Sequence, residues 1–542
     1  MLWDSLAHWR LIRRGVQAAL QTYALRRLAR LDRAHANEEQ EATLLRLVQQ
    51  ASATRFGQEH GFASIRRVRD FQERVPLRTY EDFWREYWQP TFPHLQGITW
   101  PVAPRYFALS SGTSTGNTKY LPISKDLLAS NRSAALCLFG SLWASHPQLQ
   151  LLQGRLFFLG GSTDLTLLAP ATYAGDLSGI VAATSPRWLR PFTWPPLSLA
   201  LLKDWDKKIT ELARTSPKER ITLLAGVPSW LMVLIEELKK AAGGKALAEI
   251  WPDLQVVVHG GVCFEPYRAW FTRELPNHVL LAETYPSSEA FIAFEDLRYR
   301  QLRLVTDHGI FFEFVPREEL NQARPTRHTV HNLELDVDYA VVVTTCAGLW
   351  AYVLGDVVRF TRRNPPLLRF VGRTSYFLSA FGEHLTGEEI ERAVSHAAQL
   401  CQALVADFHV GPVFCQRGLS PGWHRYLIEC VQPPSDLAQF ARALDTELRQ
   451  LNADYDVHRT DQVGIGPPEV ILLRRGAFAD WLRSQGKLGG QHKVPRIDNS
   501  GQLTASLLQW FADSGATIGS TVGSGIGSNS VGSQIPVATH AQ

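Results

Sequence analysis

Several signals that would mark a special class of protein are missing from this sequence of 542 residues. Its six cysteines form no C-x-x-C pair, so we expect neither a zinc site nor a disulfide framework, and a reducing cytoplasm fits best. There is no run of about 18 apolar residues, so we expect no membrane span. The net charge of +4 is too small to indicate binding to nucleic acid or to a membrane.

The composition is that of an ordinary globular protein, with 45% hydrophobic and 20% charged residues, and the length predicts two domains. The first 34 residues hold seven arginines and only two acidic residues, Asp4 and Asp32. We interpret this segment as a surface helix that opens the fold, with a transit peptide or a membrane-surface helix as the alternatives. Because there is no apolar signal core with a small-residue cleavage site, we do not expect secretion.

Hydrophobic periodicity predicts that helices and strands alternate through most of the chain. Residues 3–52 have a helical pattern, and strands at 105–109 and 120–123 flank a glycine-rich loop. Ser124 is placed to cap a helix over 124–143. Further predicted elements are a helix at 228–242 and strands at 155–159, 254–259, 279–283 and 340–345. This alternation is typical of an α/β architecture.

The pattern changes near residue 378. Helices at 386–402 and 435–451 and strands at 403–410 and 426–431 predict a separate α+β domain of roughly 130 residues. Beyond Asp513 the chain is rich in Gly, Ser, Thr and Val, and we expect a disordered tail. The predicted organisation is therefore a large domain over 1–378, a small domain over 379–513 and a tail over 514–542.

The stretch from Ser110 to Lys119 is rich in hydroxyls and glycine and ends in a lysine. Backbone N–H groups, hydroxyls and an ammonium are the groups that bind a polyphosphate. The loop is not a P-loop, because its glycines are too close together. It matches G-x-S-x-G around Ser114, but a strand rather than a helix follows, which disfavours a hydrolase nucleophile. Taken alone, a plain surface hairpin remains an equal alternative.

Three later segments could complete a nucleotide site. Glu289 follows an apolar strand and could hold Mg²⁺, and the ring of Tyr285 could cover a nucleobase. Asp356 follows a glycine in apolar surroundings and could accept both hydroxyls of a ribose. Lys493 lies in a glycine-rich loop and could stabilise charge on a phosphate. Each of these residues, taken singly, is more often a solvated loop or turn residue.

Together these segments resemble the auxin-responsive acyl acid–amido synthetases and their bacterial relatives, within the wider acyl-adenylate-forming superfamily. The resemblance extends from about residue 50 to about residue 510. The loop Ser110–Lys119 is similar to the motif S-S-G-T-S-x-G-x-x-K, Tyr285–Glu289 to Y-x-S-S-E, and Tyr352–Asp356 to Y-x-x-G-D. Weaker matches are Gly226–Trp230, His259–Gly261, Phe370–Arg373 and Gly489–Arg496.

The resemblance implies an α/β fold: a large N-terminal domain, with β-sheets packed against helices and a β-barrel, and a mobile α+β C-terminal domain. It also implies roles for single residues. Glu289 would bind Mg²⁺, and Lys493 would be the catalytic lysine brought in by the C-terminal domain. The nucleotide would contact Ser111, Gly112, Thr113, Ser114, Lys119, Gly260, Gly261, Tyr285, Asp356 and Arg373. The helix after the phosphate loop, with Leu136, Phe139, Leu142 and Trp143, would border the acid pocket.

The activity implied is that of a cytoplasmic ligase that uses ATP and Mg²⁺ to adenylate a carboxylic acid. The acyl group would then pass to an amine, and we expect this amine to be an amino acid. The alternatives are an acyl- or aryl-CoA ligase and a catalytically weak nucleotide-binding relative. Ala351 and Val353 stand where relatives often carry arginine, and Ala290 stands where many bacterial relatives have glycine. None of these departures removes a proposed catalytic group.

Overall fold

The computed structural model describes residues 10–111, 118–161, 165–261, 264–374, 377–381, 383, 385–414, 422–460, 465–486 and 494–521. The strands, in chain order, are β1 (Tyr106–Ser111), β2 (Thr118–Ile123), β3 (Arg155–Phe158), β4 (Thr166–Ala169), β5 (Thr172–Gly175), β6 (Thr193–Trp194), β7 (Ile221–Gly226), β8 (Val256–Gly260), β9 (Leu280–Pro286), β10 (Phe291–Asp296), β11 (Gln301–Leu304), β12 (Ile310–Pro316), β13 (Asp338–Thr345), β14 (Tyr352–Arg362), β15 (Leu367–Arg373), β16 (Phe377–Leu378), β17 (Leu385–Thr386), β18 (Leu404–Val413), β19 (Trp423–Gln432), β20 (Glu469–Leu473) and β21 (Thr517–Ser520).

The α-helices are α1 (Arg10–Arg33), α2 (Ala36–Ala51), α3 (Arg55–Glu59), α4 (Val68–Arg74), α5 (Tyr80–Phe83), α6 (Lys125–Ser145), α7 (Leu177–Thr184), α8 (Leu197–Ala200), α9 (Trp205–Thr215), α10 (Pro228–Ala241), α11 (Leu247–Ile250), α12 (Glu265–Glu274), α13 (Gly387–Leu400), α14 (Leu437–Leu451), α15 (Ala453–Thr460), α16 (Ala477–Ser484) and α17 (Gln502–Asp513). None of the helices among the described residues has the length and the apolar character needed to cross a bilayer.

One large sheet organises the N-terminal part of the chain. Its strand order is β12-β13-β14-β15-β11-β10-β9-β8-β7-β3-β6. The pairs from β6 to β9 are parallel, and the pairs from β9 to β12 are antiparallel. Crossover helices α10 and α12 lie between the parallel strands β7, β8 and β9. The α/β architecture predicted from the sequence is confirmed, and the sheet changes from parallel to antiparallel at β9.

The antiparallel half of this sheet is strongly curved. Strands β10, β11 and β15 separate β9 from β14 in the sheet order. Nevertheless, the Tyr285 hydroxyl on β9 lies 2.7 Å from a carboxylate oxygen of Asp356 on β14. The sheet must therefore curl back towards β9, as twisted antiparallel strands do. This curled half takes the place of the expected β-barrel and remains continuous with the parallel strands.

Helix α1 opens the fold as a surface helix. The pattern over 3–52 was expected to be helical, and the described part divides into α1 and α2. Ala24, Leu28 and Leu31 of α1 are buried, in a cluster with side chains of α6. A methyl group added at Gly140 of α6 would lie 2.6 Å from the Ala24 carbonyl oxygen, so glycine permits this close approach.

The C-terminal part has its own sheet, in the order β18-β19-β20-β21, with α13 and α14 packed beside it. Its core residues form two clusters that contain no residue before Leu378. The predicted helices and strands of this part are confirmed. The tail was expected to begin at residue 514, but this boundary is wrong, because Thr517–Ser520 pair with β20. Residues 522–542 lie outside the described chain.

Ser124 tests the assignment of the N-terminus of α6. Its hydroxyl accepts a hydrogen bond from the Leu127 N–H at 2.9 Å and donates to the Cys346 carbonyl at 2.6 Å. We expect Ser124→Ala to reduce the free energy of unfolding by about 1–3 kcal/mol, because two buried backbone groups lose their partner. Urea unfolding measures this change. Ser52→Ala, which removes a hydroxyl bonded only within an exposed turn, should change it by less than about 0.5 kcal/mol. Equal effects of the two variants would contradict the cap.

Candidate active site

The candidate site lies where the parallel and antiparallel halves of the large sheet meet. Strands β8 and β9 end there at Gly260 and Pro286. Ligands of open α/β sheets bind outside the carboxyl ends of the strands, so this edge is the expected place for a site. The curl of the sheet brings β14 to the same place. Two of the sequence motifs, on β9 and its following loop and on β14, therefore face each other.

The two motifs are joined by reciprocal hydrogen bonds. Tyr285, of the motif Tyr285–Glu289, donates to Asp356, of the motif Tyr352–Asp356, at 2.7 Å. In return, Tyr352 of the motif Tyr352–Asp356 donates to Glu289 at 3.2 Å. In each motif the tyrosine precedes the carboxylate by four residues. All four residues are buried, and each carboxylate is held by the tyrosine of the other segment.

The orientation of Asp356 follows from an irregularity in β14. Gly355 has a φ of +85°, in the region that favours glycine. The pairing of β14 with β13 shifts register between Ala340 and Val342, opposite this glycine. A residue with positive φ in a bulged strand re-aims the side chain that follows it. This is the physical reason for a Gly-Asp pair at this position of the motif.

Arg373 holds the other side of the Asp356 carboxylate. The two residues are direct partners across β14 and β15. The guanidinium Nε donates to Asp356 Oδ1 at 3.0 Å, while Tyr285 uses Oδ2. The Arg373 side chain is 34% exposed, so it also faces the solvent side of the site. The segments Tyr352–Asp356 and Phe370–Arg373 therefore lie on paired strands, and the ring of Phe370 contacts that of Tyr285 edge-on at 5.4 Å.

Burial and neighbouring charges shift the pKa values of Glu289 and of both tyrosines. Burial raises the pKa of Glu289, and the nearby charge of Asp356 adds to this, while Arg373 and Lys119 oppose it. Burial and the neighbouring carboxylates raise the pKa of both Tyr285 and Tyr352 well above the ordinary value. Both phenols consequently stay protonated near neutrality and act as hydrogen-bond donors to the carboxylates.

The glycines after β8 form one edge of the site. Gly260 pairs with Thr284 of β9. A methyl group added at Gly260 would lie 2.3 Å from the Thr284 carbonyl oxygen, which only glycine avoids. Gly261 has a φ of +79°. His259, which precedes Gly260, is 3% exposed, and burial lowers its pKa to about 3, so its imidazole is neutral.

The structure describes both strands that flank the phosphate loop. The pairing of Ser111 with Thr118 confirms that the loop joins two antiparallel strands. Gly112, Thr113 and Ser114 lie outside the described residues, and so does the Ser111 side chain. Lys119 lies on β2, with Nζ 3.7 Å from Glu81 and over the ring of Tyr80. It does not contribute to the cavity wall in the described part of the chain, although its charge acts on Glu289.

A cavity of about 1390 Å³ opens between the two parts of the chain. This volume exceeds the roughly 300–1,000 Å³ of an ordinary small-molecule site. The cavity is therefore large enough for two substrates. The large part contributes six of the predicted nucleotide and metal residues to its wall, namely Gly260, Gly261, Tyr285, Glu289, Asp356 and Arg373. The small part contributes Asp407 and Val494–Arg496, among others. Lys493 itself lies outside the described residues.

One end of the cavity has an apolar wall made by helices α6 and α7. Leu136 and Phe139 of α6 line it, together with Val181 of α7 and Trp188. The sequence also named Leu142 and Trp143, but these are 0% and 1% exposed and are core residues. Helical periodicity identifies the whole buried face of α6, and only the structure divides that face between cavity and core.

Tyr352 is the residue whose role the sequence interpretation missed. It was read as part of the third motif and was given no function. The identical spacing of tyrosine and carboxylate in Tyr285–Glu289 and Tyr352–Asp356 was the available signal. Because the two motifs are far apart in the chain, that spacing indicates reciprocal pairing only once the curled sheet places them opposite each other.

Three domain profiles of one family match the chain in order. The GH3 family N-terminal domain matches residues 26–159 and 166–280, the central domain 303–373 and the C-terminal domain 388–502. The chain belongs to the GH3 family.

Curated relatives from plants agree with this assignment. The chain is 30% identical over 279 residues to the jasmonoyl–L-amino acid synthetase GH3.5 of Oryza sativa subsp. japonica, covering 46% of each chain. It is 26% identical over 308 residues to the 4-substituted benzoates–glutamate ligase GH3.12 of Arabidopsis thaliana, covering 52% of each. The chain thus spans about half the length of the curated relatives it matches.

Solved structures share the fold over nearly the whole chain. The GH3.15 acyl acid amido synthetase superposes with a TM-score of 0.75 at 18% identity, covering 92% of this chain and 96% of the other. A 2-hydroxyisobutyryl-CoA ligase in the postadenylation state superposes with a TM-score of 0.54 at 12% identity, covering 91% and 92%. At these identities the comparison establishes that the chain shares the fold of these two ligases.

Gly260 tests the close approach of β8 and β9 at the site. We expect Gly260→Ala to reduce ATP affinity by at least tenfold, because the added methyl group must displace the Thr284 backbone from the edge of the cavity. Isothermal titration with ATP measures the affinity. Gly243→Ala is the control for a loss of stability alone. Its positive φ strains any side chain, while no neighbouring atom lies within 4 Å of the added methyl group. ATP affinity preserved in a folded Gly260→Ala protein would contradict this placement.

Proposed function

We propose that the protein is an ATP-dependent ligase that adenylates a carboxylic acid and transfers the acyl group to an amine, releasing pyrophosphate and then AMP. The observation that supports this best is the reciprocal pairing of Tyr285 with Asp356 and of Tyr352 with Glu289. These pairs face a cavity shared by both parts of the chain. Membership of the GH3 family and the names of the relatives supply the reaction class.

In this proposal the nucleotide occupies the end of the cavity between the glycine turn and Asp356. A carboxylate has about four acceptor sites, so Asp356 can accept ribose hydroxyls while still bonded to Tyr285 and Arg373. Gly260 and Gly261 leave room for the base, against which the ring of Tyr285 packs. Arg373 contacts the ribose or the α-phosphate. The phosphates are assigned to Ser111, Gly112, Thr113, Ser114 and Lys119.

Glu289 fits the role of the Mg²⁺ ligand. Magnesium in nucleotide enzymes is commonly held by one or two carboxylates together with the substrate phosphates. Glu289 supplies one carboxylate, and the Tyr352 hydrogen bond leaves its second oxygen available to a ligand. Magnesium bound there would neutralise charge on the departing pyrophosphate. The Tyr352 bond would keep the Glu289 carboxylate in one orientation.

The first half-reaction joins the acid to the nucleotide. A carboxylate oxygen of the acid attacks the α-phosphorus of ATP, and the bond to pyrophosphate breaks. Positioning and charge stabilisation dominate such phosphoryl chemistry. Lys493 is assigned to the charge that develops at the α-phosphate. The apolar wall with Leu136 and Phe139 would hold the body of the acid.

The second half-reaction forms the amide. The amine nitrogen attacks the acyl carbon, AMP departs with the electron pair of the broken C–O bond, and the nitrogen loses a proton. An amino acid is the acceptor suggested by the names of the relatives.

The two half-reactions suit a chain with two structural units. We assign residues 1–378 to a large nucleotide- and acid-binding domain and 379–513, extended by β21, to a smaller mobile domain. The separate core clusters of the small part support this division. A cytoplasmic location is consistent with the buried free thiols of the described cysteines.

A screen of carboxylic acids for ATP-dependent pyrophosphate release tests the proposed function. Acids that score are then incubated with mixed amino acids or with coenzyme A, and the products are identified by mass spectrometry. We expect an N-acyl amino acid. A thioester would indicate an acyl-CoA ligase instead. ATP binding without pyrophosphate release from any acid would indicate a nucleotide-binding relative with weak turnover.

Asp356→Ala tests the assigned ribose contact. We expect ATP binding to weaken by about 1.5–3 kcal/mol, because one charge-assisted hydrogen bond to the ribose is lost. Direct titration with ATP provides the affinity, with circular dichroism as the check of folding. Glu59→Ala removes a carboxylate that accepts from another tyrosine, Tyr87, and serves as a matched control. Unchanged ATP affinity in Asp356→Ala would refute the assignment.

Lys493→Ala tests the assigned catalytic lysine. We expect acid-dependent exchange of pyrophosphate into ATP to slow by on the order of 10²–10³, the usual effect of removing one charge-stabilising donor. Lys245→Ala removes an exposed lysine far along the chain and should leave the exchange rate unchanged. If Lys493→Ala exchanges pyrophosphate at the wild-type rate, the lysine has no part in the first half-reaction.

A further inference from the structure

Arg496 is a buried cation at the boundary between the two parts of the chain. Only 8% of its surface is exposed, and it follows Lys493 by three residues. A buried guanidinium is tolerated only where its donors are paired. Its partners therefore show which pieces of structure this segment holds together.

Two carboxylates of the small part neutralise Arg496. Its Nη1 donates to Glu391 of α13, and its Nε lies 3.4 Å from Asp407 of β18. The guanidinium also lies 5.0 Å from the ring centroid of Phe408. These contacts attach the arginine firmly to α13 and β18, on the small part's own side of the boundary.

The remaining edge of the guanidinium reaches the large part. Nη2 donates to the Tyr267 hydroxyl at 2.8 Å. Tyr267 is 1% exposed and lies on α12, which begins four residues after the glycine turn at Gly261. Both Tyr267 and Arg496 line the cavity. A buried hydrogen bond thus joins the segment after Lys493 to the helix that follows the glycine turn.

The main chain around Arg496 is also fixed. The Val410 N–H of β18 donates to the Arg496 carbonyl at 2.8 Å, and the Asp498 N–H donates to the Val410 carbonyl at 2.9 Å. The imidazole of His409 donates to the carbonyl of Pro495. Three residues of chain span at most about 11 Å, so an anchor at Arg496 restricts the main chain of the preceding lysine segment.

Two other ion pairs between the two parts are more exposed to water than the buried residues Arg496 and Tyr267. Arg483 pairs with Asp206, and Arg475 pairs with Glu236. The side chains of the first pair are 48% and 59% exposed, and exposed ion pairs contribute little because water screens them. The bond between Arg496 and Tyr267 is buried, so it is the more stringent constraint on geometry.

We propose that Arg496 and Tyr267 are positioning residues for the first half-reaction, because the hydrogen bond between them anchors the chain that follows Lys493 to the large part. This rests on the proposed function, in which Lys493 acts at the α-phosphate. In this proposal Arg496 is paired with protein groups, namely Glu391, Asp407 and Tyr267. It acts through the lysine, and Tyr267 is the point on the large part against which the segment is set.

Tyr267→Phe tests the proposal, because it removes one hydroxyl and keeps the ring. We expect the maximal rate of acid-dependent pyrophosphate exchange to fall about tenfold, with the KM for ATP unchanged, because the variant misplaces the lysine and leaves the nucleotide contacts intact. Arg496→Lys, which keeps the charge and loses the planar fork, should behave in the same way.

A double-mutant cycle separates positioning from a general loss of structure. If Tyr267 acts through Lys493, then Tyr267→Phe should have no further effect on exchange in a Lys493→Ala background. Multiplicative losses in the double variant would overturn the proposal. So would a wild-type exchange rate in a folded Tyr267→Phe protein.

Tyr455→Phe is the matched control. Tyr455 is a buried tyrosine of the small part whose hydroxyl donates to Asp445 at 2.8 Å, away from the boundary. It should lower the thermal midpoint as Tyr267→Phe does and keep the wild-type exchange rate; a loss of exchange equal to that of Tyr267→Phe would count against a specific anchor. If the wild-type protein shows no acid-dependent pyrophosphate exchange with any carboxylic acid, the proposed function is refuted instead. The two failures are therefore distinguishable.

Discussion

The site depends on one buried carboxylate, Asp356, that is held from both sides. Tyr285 donates to one oxygen and Arg373 to the other. Removing a charge from water costs several kcal/mol unless hydrogen bonds replace the solvent. The curl of the antiparallel strands is the structural condition for this pairing, since it brings β14 against the end of β9. Three irregular features of the sheet lie together at the site. They are the change from parallel to antiparallel pairing at β9, the bulge at Gly355 and the close approach of Gly260 to β9.

The second carboxylate, Glu289, is arranged differently. Its partner is a neutral phenol, and burial raises its pKa. A cation that binds beside a buried carboxylate stabilises its charged form. This is the property that the proposed Mg²⁺ ligand needs. Asp356, by contrast, already has the guanidinium of Arg373 beside it. The proposed function accordingly assigns the two acids different partners: ribose hydroxyls for Asp356 and a cation for Glu289.

Much of this arrangement could be predicted from the sequence, and the remainder has physical reasons for being missed. Ser124 predicted the start of α6, and apolar periodicity predicted the position of α13, because caps and periodicity are local signals. The motifs gave Tyr285, Glu289, Asp356 and Arg373, which the fold brings to one cavity. Tyr352 and Arg496 were assigned no role, since their partners are 63 and 229 residues away. The tail boundary was wrong because a Gly/Ser/Thr-rich segment can still complete a sheet edge, as β21 does.

The central claim is that the nucleotide binds between the glycine edge of β8 and the Asp356 carboxylate. Hydrogen–deuterium exchange with a non-hydrolysable ATP analogue and Mg²⁺ tests this most directly. The account predicts slower exchange at the amides of 258–261, 284–290 and 355–374, and loss of that protection in Asp356→Ala. Protection confined to other segments, or the same protection in Asp356→Ala as in the wild type, would contradict it.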